Sequence, residues 1–332
     1  MLARRLVVCS LFAALPSAAL AEGGAFDLAP GQKVLAPIQF KQLTIFPVVQ
    51  QAAAPVDTTQ YLTLADGLKA RLVKVTEDKG GAQVNRVTVA NLSAKPLLLL
   101  GGEVILGGQQ DRILGKDTIL PAHEEMSLEV FCVEHGRWSG HGEFTASGGI
   151  VDGKARLRAR FESNQQAVWD EVAKKNAALK VENSTGTYRN LATGPEGEAA
   201  VKPYREHLRA ALDKLPEAKR MIGVVAAVNG RVTTVEIFAD ANLFAAYRDK
   251  LLDSLFVSVA DVPVAAKPSP PPAAPEIRAF MKQADDASEQ AIAAPKGSKT
   301  VENKGKSVAK SKVSIDGAPA DKPVYRSYQL ME

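Results

Sequence analysis

The chain has 332 residues, of which 46% are hydrophobic and 23% are charged, so it is long and apolar enough to bury a sizeable core. Its formal net charge is +4, from 41 basic and 37 acidic residues. This near-neutral balance gives no general argument for nucleic-acid binding. The two cysteines are too few for a fold that depends on several disulfides.

The N-terminus predicts an export signal. Arg4-Arg5 precede an apolar run from Leu6 to Leu15, and Ala19-Leu20-Ala21 is the small-x-small pattern that signal peptidase reads. The run is too short to cross a hydrocarbon core, which needs roughly 20 residues. We therefore expect cleavage near Ala21, a periplasmic or secreted mature protein with no transmembrane segment, and Cys132 as its only cysteine.

The first half of the mature chain mainly predicts strands. Two short strands are expected between Gly31 and Val48, and a short helix is expected after Tyr61. Further strands are predicted at residues 72–75, 84–89, 97–100 and 126–134. The 97–100 run is uniformly apolar, which is typical of a strand buried on both faces. The 126–134 segment alternates, which is typical of a strand with two different faces.

The second half mainly predicts helices. Apolar residues at helical spacing indicate helices at residues 164–179, 199–215, 242–257 and 276–287. A hairpin is predicted over residues 221–238, because Asn229-Gly230 favours a type I′ turn. A lysine-rich stretch and a last strand over residues 324–330 end the chain.

These elements predict an α+β fold. We expect a mixed, mainly antiparallel β-sheet from the N-terminal half, with helices packed on it from the C-terminal half. The Pro-rich segment holds six prolines and is typical of an extended linker. The predicted divisions are a signal peptide (1–21), a main α+β domain (22–262), the Pro-rich linker (263–275), and a small basic C-terminal extension with a terminal strand (276–332).

Two dense polar motifs follow predicted buried strands, namely Gly107–Arg112 and Cys132–Trp138. Arginine presents a rigid fork of donors that suits phosphate or carboxylate groups. The candidate ligand-binding residues are Gln110, Asp111, Arg112, Arg137 and Trp138. Internal salt bridging of the two arginines, with Glu134, Asp111 and Glu103 as partners, is the alternative. For Trp138, the alternatives are stacking on a base or sugar and closure of a core.

Glu134 is the candidate catalytic residue. The period of two places it on the strand face of Cys132, where burial shifts the pKa of a carboxyl group and an arginine can hold it ionised. Its alternative is a structural ion pair with Arg137 or Arg112. Cys132 itself is interpreted first as a small core residue, and a reactive nucleophile is the alternative. Cys132, His135 and His141 lack the spacing of a standard ligand pair, so we expect neither a metal nor a cofactor.

Six ordered motifs carry a family resemblance. They are Leu64–Leu68, Val75-Thr76-Glu77, Val84–Asn91, Pro96–Glu103, Gly107–Arg112 and Cys132–Trp138. Together they resemble the ARG and rhodanese-phosphatase-superfamily-associated protein domain family. Two later motifs, Gln166–Trp169 and Ser184–Thr187, also fit, and the resemblance covers roughly residues 39–260. His135 departs from the pattern, because the family usually has glutamine there. The family name implies an association with ADP-ribose or related phosphorylated ligands, and it carries no catalytic mechanism.

Two hypotheses about function follow. In the first, an exported soluble protein binds a phosphorylated, ADP-ribose- or nucleotide-like ligand near Arg112 and Arg137, with hydrolysis assisted by Glu134. In the second, the protein is a non-catalytic cell-envelope interaction or scaffold protein, its charged cluster is structural, and its partner is another protein. Neither hypothesis includes a specific nucleic acid.

Overall fold

The computed structural model describes residues 24–51, 61–77, 85–137, 139, 143–317 and 322–332. Within these ranges, strands and helices both contribute heavily and nearly all strand pairs are antiparallel, so the fold is α+β, as predicted. The predicted signal peptide and Trp138 lie outside the described residues. Among the described helices, none has the length and apolarity needed to span a membrane.

The strands and helices are bounded as follows. The strands are β1 (Phe26–Ala29), β2 (Gln32–Val34), β3 (Ile38–Phe40), β4 (Leu43–Gln50), β5 (Leu62–Thr63), β6 (Val73–Glu77), β7 (Arg86–Asn91), β8 (Leu97–Leu99), β9 (Glu103–Gly107), β10 (Arg112–Leu114), β11 (Thr118–Leu120), β12 (Glu125–Cys132), β13 (Glu143–Ile150), β14 (Met221–Val228), β15 (Arg231–Phe238), β16 (Glu289–Ile292), β17 (Ser298–Lys304), β18 (Val308–Ile315) and β19 (Tyr325–Leu330). The helices are α1 (Leu64–Lys69), α2 (Gly153–Arg160), α3 (Gln165–Ala178), α4 (Arg189–Thr193), α5 (Pro195–Tyr204), α6 (Ala210–Asp213), α7 (Ala241–Val259) and α8 (Ala274–Asp285). A π-helical turn (Arg205–Arg209) joins α5 to α6, and a 3₁₀ turn (Ala218–Arg220) precedes β14.

A large antiparallel sheet runs in the order β1-β2-β4-β14-β15-β19-β18-β17-β16, with β3 also paired to β4. Its β14–β15 hairpin turns at Asn229-Gly230, where both residues have positive φ, as a type I′ turn requires. The helix α7 packs on one face of β14, and α8 packs on β15, β17 and β18.

The second unit is a closed six-stranded barrel in the order β10-β12-β7-β6-β13-β9. Its interior is filled by apolar side chains, among them Val75, Val89, Ile105 and Val130. The alternation expected along 126–134 is present in β12, because Val130 faces this interior whereas Phe131 belongs to the core outside it. A three-stranded sheet, β11-β8-β5, is not hydrogen-bonded to the barrel, but its Leu97, Leu99 and Leu120 pack in the same apolar core.

The layout by halves differs from the expectation, because the large sheet takes strands from both ends of the chain. Its first strands precede residue 51, and β14 to β19 come from the C-terminal half. The segment expected as a separate C-terminal extension supplies four strands, and β19 pairs directly with β15. Two lysines of its lysine-rich stretch, Lys310 and Lys312, lie on β18 and pair with Asp285 and Glu289.

Candidate functional site

Strand pairing brings the two predicted polar motifs together. Arg112, the first residue of β10, pairs with Cys132, the last residue of β12. The Gly107–Asp111 turn before β10 and the segment after β12 therefore lie at the same end of two neighbouring strands. The Val133 amide donates to the Asp111 carbonyl at 3.0 Å, which extends the pairing beyond the strands.

Asp111 is the shared acceptor of this end of the barrel and is almost fully buried. Its Oδ1 accepts from the Gly107 amide at 3.0 Å, from Arg137 at 3.1 Å and from Arg189 at 2.8 Å. Its Oδ2 accepts from Arg189 Nε at 3.0 Å, so that arginine binds in the bidentate manner. One carboxylate thus joins the β9–β10 turn, the segment after β12 and the start of α4.

Glu134 is only 5% exposed, and both of its carboxylate oxygens are occupied. Its Oε2 accepts from Arg137 Nε at 2.7 Å and from the Asp111 amide at 3.2 Å. Its Oε1 accepts from the Thr185 hydroxyl at 2.9 Å. The Glu134–Arg137 ion pair expected from the sequence is therefore present. Gln110 supports the same turn by donating to the Glu134 carbonyl at 2.8 Å.

Arg112 belongs to a different environment from Arg137. It shares its strand face with Leu114, so its fully buried side chain points to the barrel interior, over the ring of Phe144. Its guanidinium donates to Glu77 Oε1 on β6 at 2.9 Å. The expectation that Arg112 pairs with Glu134 is therefore wrong, and the two arginines do not face each other across one hollow.

Cys132 and His135, the remaining described residues of this region, both pack against neighbours. Cys132 is buried, and burial raises the pKa of its thiol to about 11. His135 contacts the ring of Trp169 edge-on at 4.6 Å between centroids. Among the described residues, no group of three or more metal-ligating side chains occurs. Trp138 and His141 fall outside the ranges given above.

Comparison with protein families identifies the chain. The family model of the ARPP-1 domain, the ARG and Rhodanese-Phosphatase-superfamily-associated Protein domain, matches residues 31–328. The chain belongs to this family. The match extends into β19, as far as residue 328, whereas the resemblance seen in the sequence ends near residue 260. Neither a curated protein nor a solved structure gives a match.

Three residues that contact the predicted site residues were not predicted from the sequence, namely Glu77, Thr185 and Arg189. Glu77 and Thr185 occur in quoted ARPP-1 motifs, but their partners lie far along the chain. Arg189 follows the Ser184–Thr187 motif and reaches Asp111 across 78 positions. The sequence signal for these residues was their position near the end of a motif, because side chains at the ends of strands and helices come together where those elements meet.

A second buried charged cluster joins the barrel to the large sheet. Arg156 donates to the Gly101 carbonyl at 2.7 Å and to the Tyr325 hydroxyl at 2.7 Å, and it also pairs with Glu236. Arg160 pairs with Asp117 and donates to the Ser327 hydroxyl at 2.9 Å. The two arginines are four residues apart on α2, which places them on one helix face. That spacing was the sequence signal for this cluster.

The second cluster explains the two adjacent glycines, Gly101 and Gly102, near the end of the Pro96–Glu103 motif. A Cβ atom on Gly101 would lie 2.6 Å from Arg160 Cγ, and one on Gly102 would lie 2.7 Å from Arg156 Cγ. Gly102 also has a φ of +91°, which disfavours other residues. These glycines therefore allow the aliphatic parts of the Arg156 and Arg160 side chains to pack directly against the backbone.

Proposed function

We propose that this protein is exported and acts in the cell envelope as a non-catalytic interaction or scaffold protein. In this proposal, the side chains of Asp111, Glu134, Arg137, Thr185 and Arg189, which we call the Asp111–Glu134 cluster, stabilise the fold. The observation that carries the proposal is that every oxygen of both carboxylates accepts at least one hydrogen bond from a donor of the same chain. Such a network fixes the relative position of the elements that it joins.

The environment of Glu134 supports a structural role better than general acid or base catalysis. A general base needs an oxygen within hydrogen-bond reach of the proton that it removes from a substrate. Each Glu134 oxygen already accepts a hydrogen bond from Arg137, Asp111 or Thr185, and the side chain is nearly fully buried.

The charges of the cluster also balance internally. Asp111 and Glu134 are matched by Arg137 and Arg189, and Arg112, which lies separately in the barrel interior, is matched by Glu77. A phosphate group would have to compete with these carboxylates for the same guanidinium donors. Because removal of one partner from a buried ion pair leaves an uncompensated charge, the pairs are costly to separate.

One observation favours the second candidate function, binding of a phosphorylated, ADP-ribose- or nucleotide-like ligand. The side chains of Arg137 and Arg189 are 24% and 46% exposed, and both guanidinium groups approach Asp111. A phosphate on the outer edges of the two guanidinium groups would leave the inner hydrogen bonds intact.

Ligand titration on the mature protein separates the two candidates. We expect that no ADP-ribose, nucleotide or sugar phosphate raises the melting temperature in a manner that Arg137→Ala abolishes. We also expect Arg137→Ala to lower the free energy of unfolding by about 1–3 kcal/mol, because it leaves buried acceptors unpaired. Lys282→Ala is the matched control, since Lys282 is 71% exposed in its pair with Asp286.

The opposite pattern would contradict the proposal. A ligand-dependent rise in melting temperature that Arg137→Ala removes, with stability otherwise unchanged, would establish the ligand-binding candidate instead. Export is tested separately by N-terminal sequencing of the protein recovered from the periplasm or medium. We expect a first residue close to position 22, and an intact Met1 would contradict export.

A further inference from the structure

A hollow lies away from the Asp111–Glu134 cluster, between β13 and the helices α4, α5 and α7. Its volume is about 370 Å³, which is within the usual range of small-molecule sites. One wall is the backbone of Gly148 to Ile150, and the others include Tyr188, Arg205 and Lys250. We call this hollow the β13 cleft.

The glycine wall of the β13 cleft is an irregular piece of strand. The pairing of β13 with β9 shifts between Ser147 and Ile150, so Gly148 and Gly149 form a bulge. Gly149 has a φ of +94°, and a Cβ atom placed on it would meet nothing within 4 Å. The backbone conformation therefore requires glycine there, and its main chain borders open space.

The carboxylates that line the cleft are already paired. Asp253 accepts from Arg205 at 2.8 and 3.2 Å and from Arg209 at 2.9 Å. Glu198 also pairs with Arg205. Arg205 begins a π-helical turn, a rare conformation that is frequent at functional sites. These acceptors therefore leave little capacity for a cationic ligand.

Lys250 supplies the unused donors of the cleft. Its ammonium group is buried but makes no hydrogen bond to any described residue. The nearest carboxylate oxygen is Glu103 Oε1, which forms a long ion pair with this ammonium group at 3.5 Å, so at most one of the lysine donors is directed to a described acceptor. A buried ammonium has three donors to satisfy, and leaving them unpaired is costly.

We infer that the β13 cleft binds a small organic anion, whose carboxylate or phosphate oxygens accept hydrogen bonds from Lys250 while its body lies along Gly148-Gly149. Burial of Glu103 raises the pKa of its carboxyl group, and the nearby charge of Lys250 opposes that shift. The inference is independent of the proposed scaffold function, because no residue of the Asp111–Glu134 cluster lines this cleft.

Isothermal titration calorimetry on the mature chain tests the inference, with ribose 5-phosphate as the phosphate probe, succinate as the carboxylate probe and ribose as the neutral control. We expect saturable binding of at least one anionic probe and none of ribose. Lys250→Met is expected to weaken that binding at least tenfold. Lys202→Met, which changes an exposed lysine on α5, is expected to leave it unchanged.

A double variant guards against misfolding of Lys250→Met, which leaves Glu103 without its partner. Glu103→Gln combined with Lys250→Met removes both charges, and it is expected to show the same loss of binding. Glu103→Gln alone keeps the lysine, removes its competing carboxylate and is expected to bind the anion at least as tightly as the wild type. The inference would be overturned if neither anionic probe binds, or if the double variant binds as tightly as the wild type.

Discussion

At the scale of single residues, Asp111 has the widest structural role among the predicted site residues. It joins three segments through four hydrogen bonds from Gly107, Arg137 and Arg189. A buried carboxylate with this many donors needs no external cation or ligand to balance it. A polar motif of this kind resembles a binding site in the sequence, but the same residues are also suited to joining several segments of the chain inside the fold.

The close approach of Arg160 to the backbone gives a prediction about Gly101. We expect Gly101→Ala to lower the free energy of unfolding by about 1–3 kcal/mol, because its Cβ would overlap an arginine that is locked in place. Gly153→Ala is the control, since its Cβ would lie 3.5 Å from Ser258 Oγ, an ordinary contact. We expect the control to be neutral or stabilising by up to about 1 kcal/mol. Equal stabilities of the two variants in urea unfolding would contradict this explanation.

The sequence predicted part of the charged cluster and missed the rest for a physical reason. Glu134 and Arg137 are three residues apart, so their pairing depends on local geometry. The partner of Arg112 depends on barrel closure, which brings Glu77 of β6 across the end of the barrel. Period-two alternation tells which face a side chain occupies, and it does not tell which distant strand faces it.

At the scale of elements, α2 is the connection between the barrel and the large sheet. Its Arg156 and Arg160 reach the Gly101 backbone on one side and the β19 residues Tyr325 and Ser327 on the other. The helix is thus held by polar contacts on the face where an ordinary amphipathic helix would present apolar groups. This face was not predicted, because arginines on a short helix are usually solvated.

The turn between β8 and β9 gives a prediction about pH. Desolvation raises the pKa of Glu103 above its usual 4.5, so the folded protein holds this proton more tightly than the unfolded chain. The stabilising contribution of the group is full below pH 4.5 and decreases as the pH rises through the folded pKa. We therefore expect the stability of the wild type relative to Glu103→Gln to fall with increasing pH above about 4.5. Urea unfolding at a series of pH values measures it, and a difference that stays constant or increases would contradict the prediction.

Regular elements with local signals were predictable, whereas their assembly was not. The Asn229-Gly230 hairpin and α3, α7 and α8 lie where turn chemistry and helical spacing placed them. Closure of the barrel depends on pairing between β13 and strands that precede it by many residues, β6 and β9. Such pairing leaves no periodic signal in the sequence.

At the scale of the whole molecule, the large sheet is completed only by the C-terminal strands. Most of β19 is buried, and it pairs with both β15 and β18. The Pro-rich segment therefore separates two stretches of one sheet. Composition predicted a boundary there because proline enrichment marks extended chain, and extended chain occurs within folds as well as between them.

Truncation at the predicted boundary tests this interdependence. We expect a chain ending at residue 262 to lose cooperative unfolding, because β15 loses its neighbour β19 and Arg156 and Arg160 lose their partners on that strand. Circular dichroism during heating measures the loss. Deletion of Glu332 alone is the control, since its pair with Arg231 is largely exposed. A truncated chain with the cooperative transition of a folded domain would contradict the interdependence.

The central claim is that the Asp111–Glu134 cluster stabilises the molecule as an internal network, and a double-mutant cycle tests it most directly. The cycle combines Asp111→Asn and Arg137→Gln, and it compares their free energies of unfolding in urea singly and together. We predict a coupling energy of about 1–3 kcal/mol, because the two side chains share one buried hydrogen-bonded pair. Strictly additive effects, with each single variant as stable as the wild type, would contradict the claim.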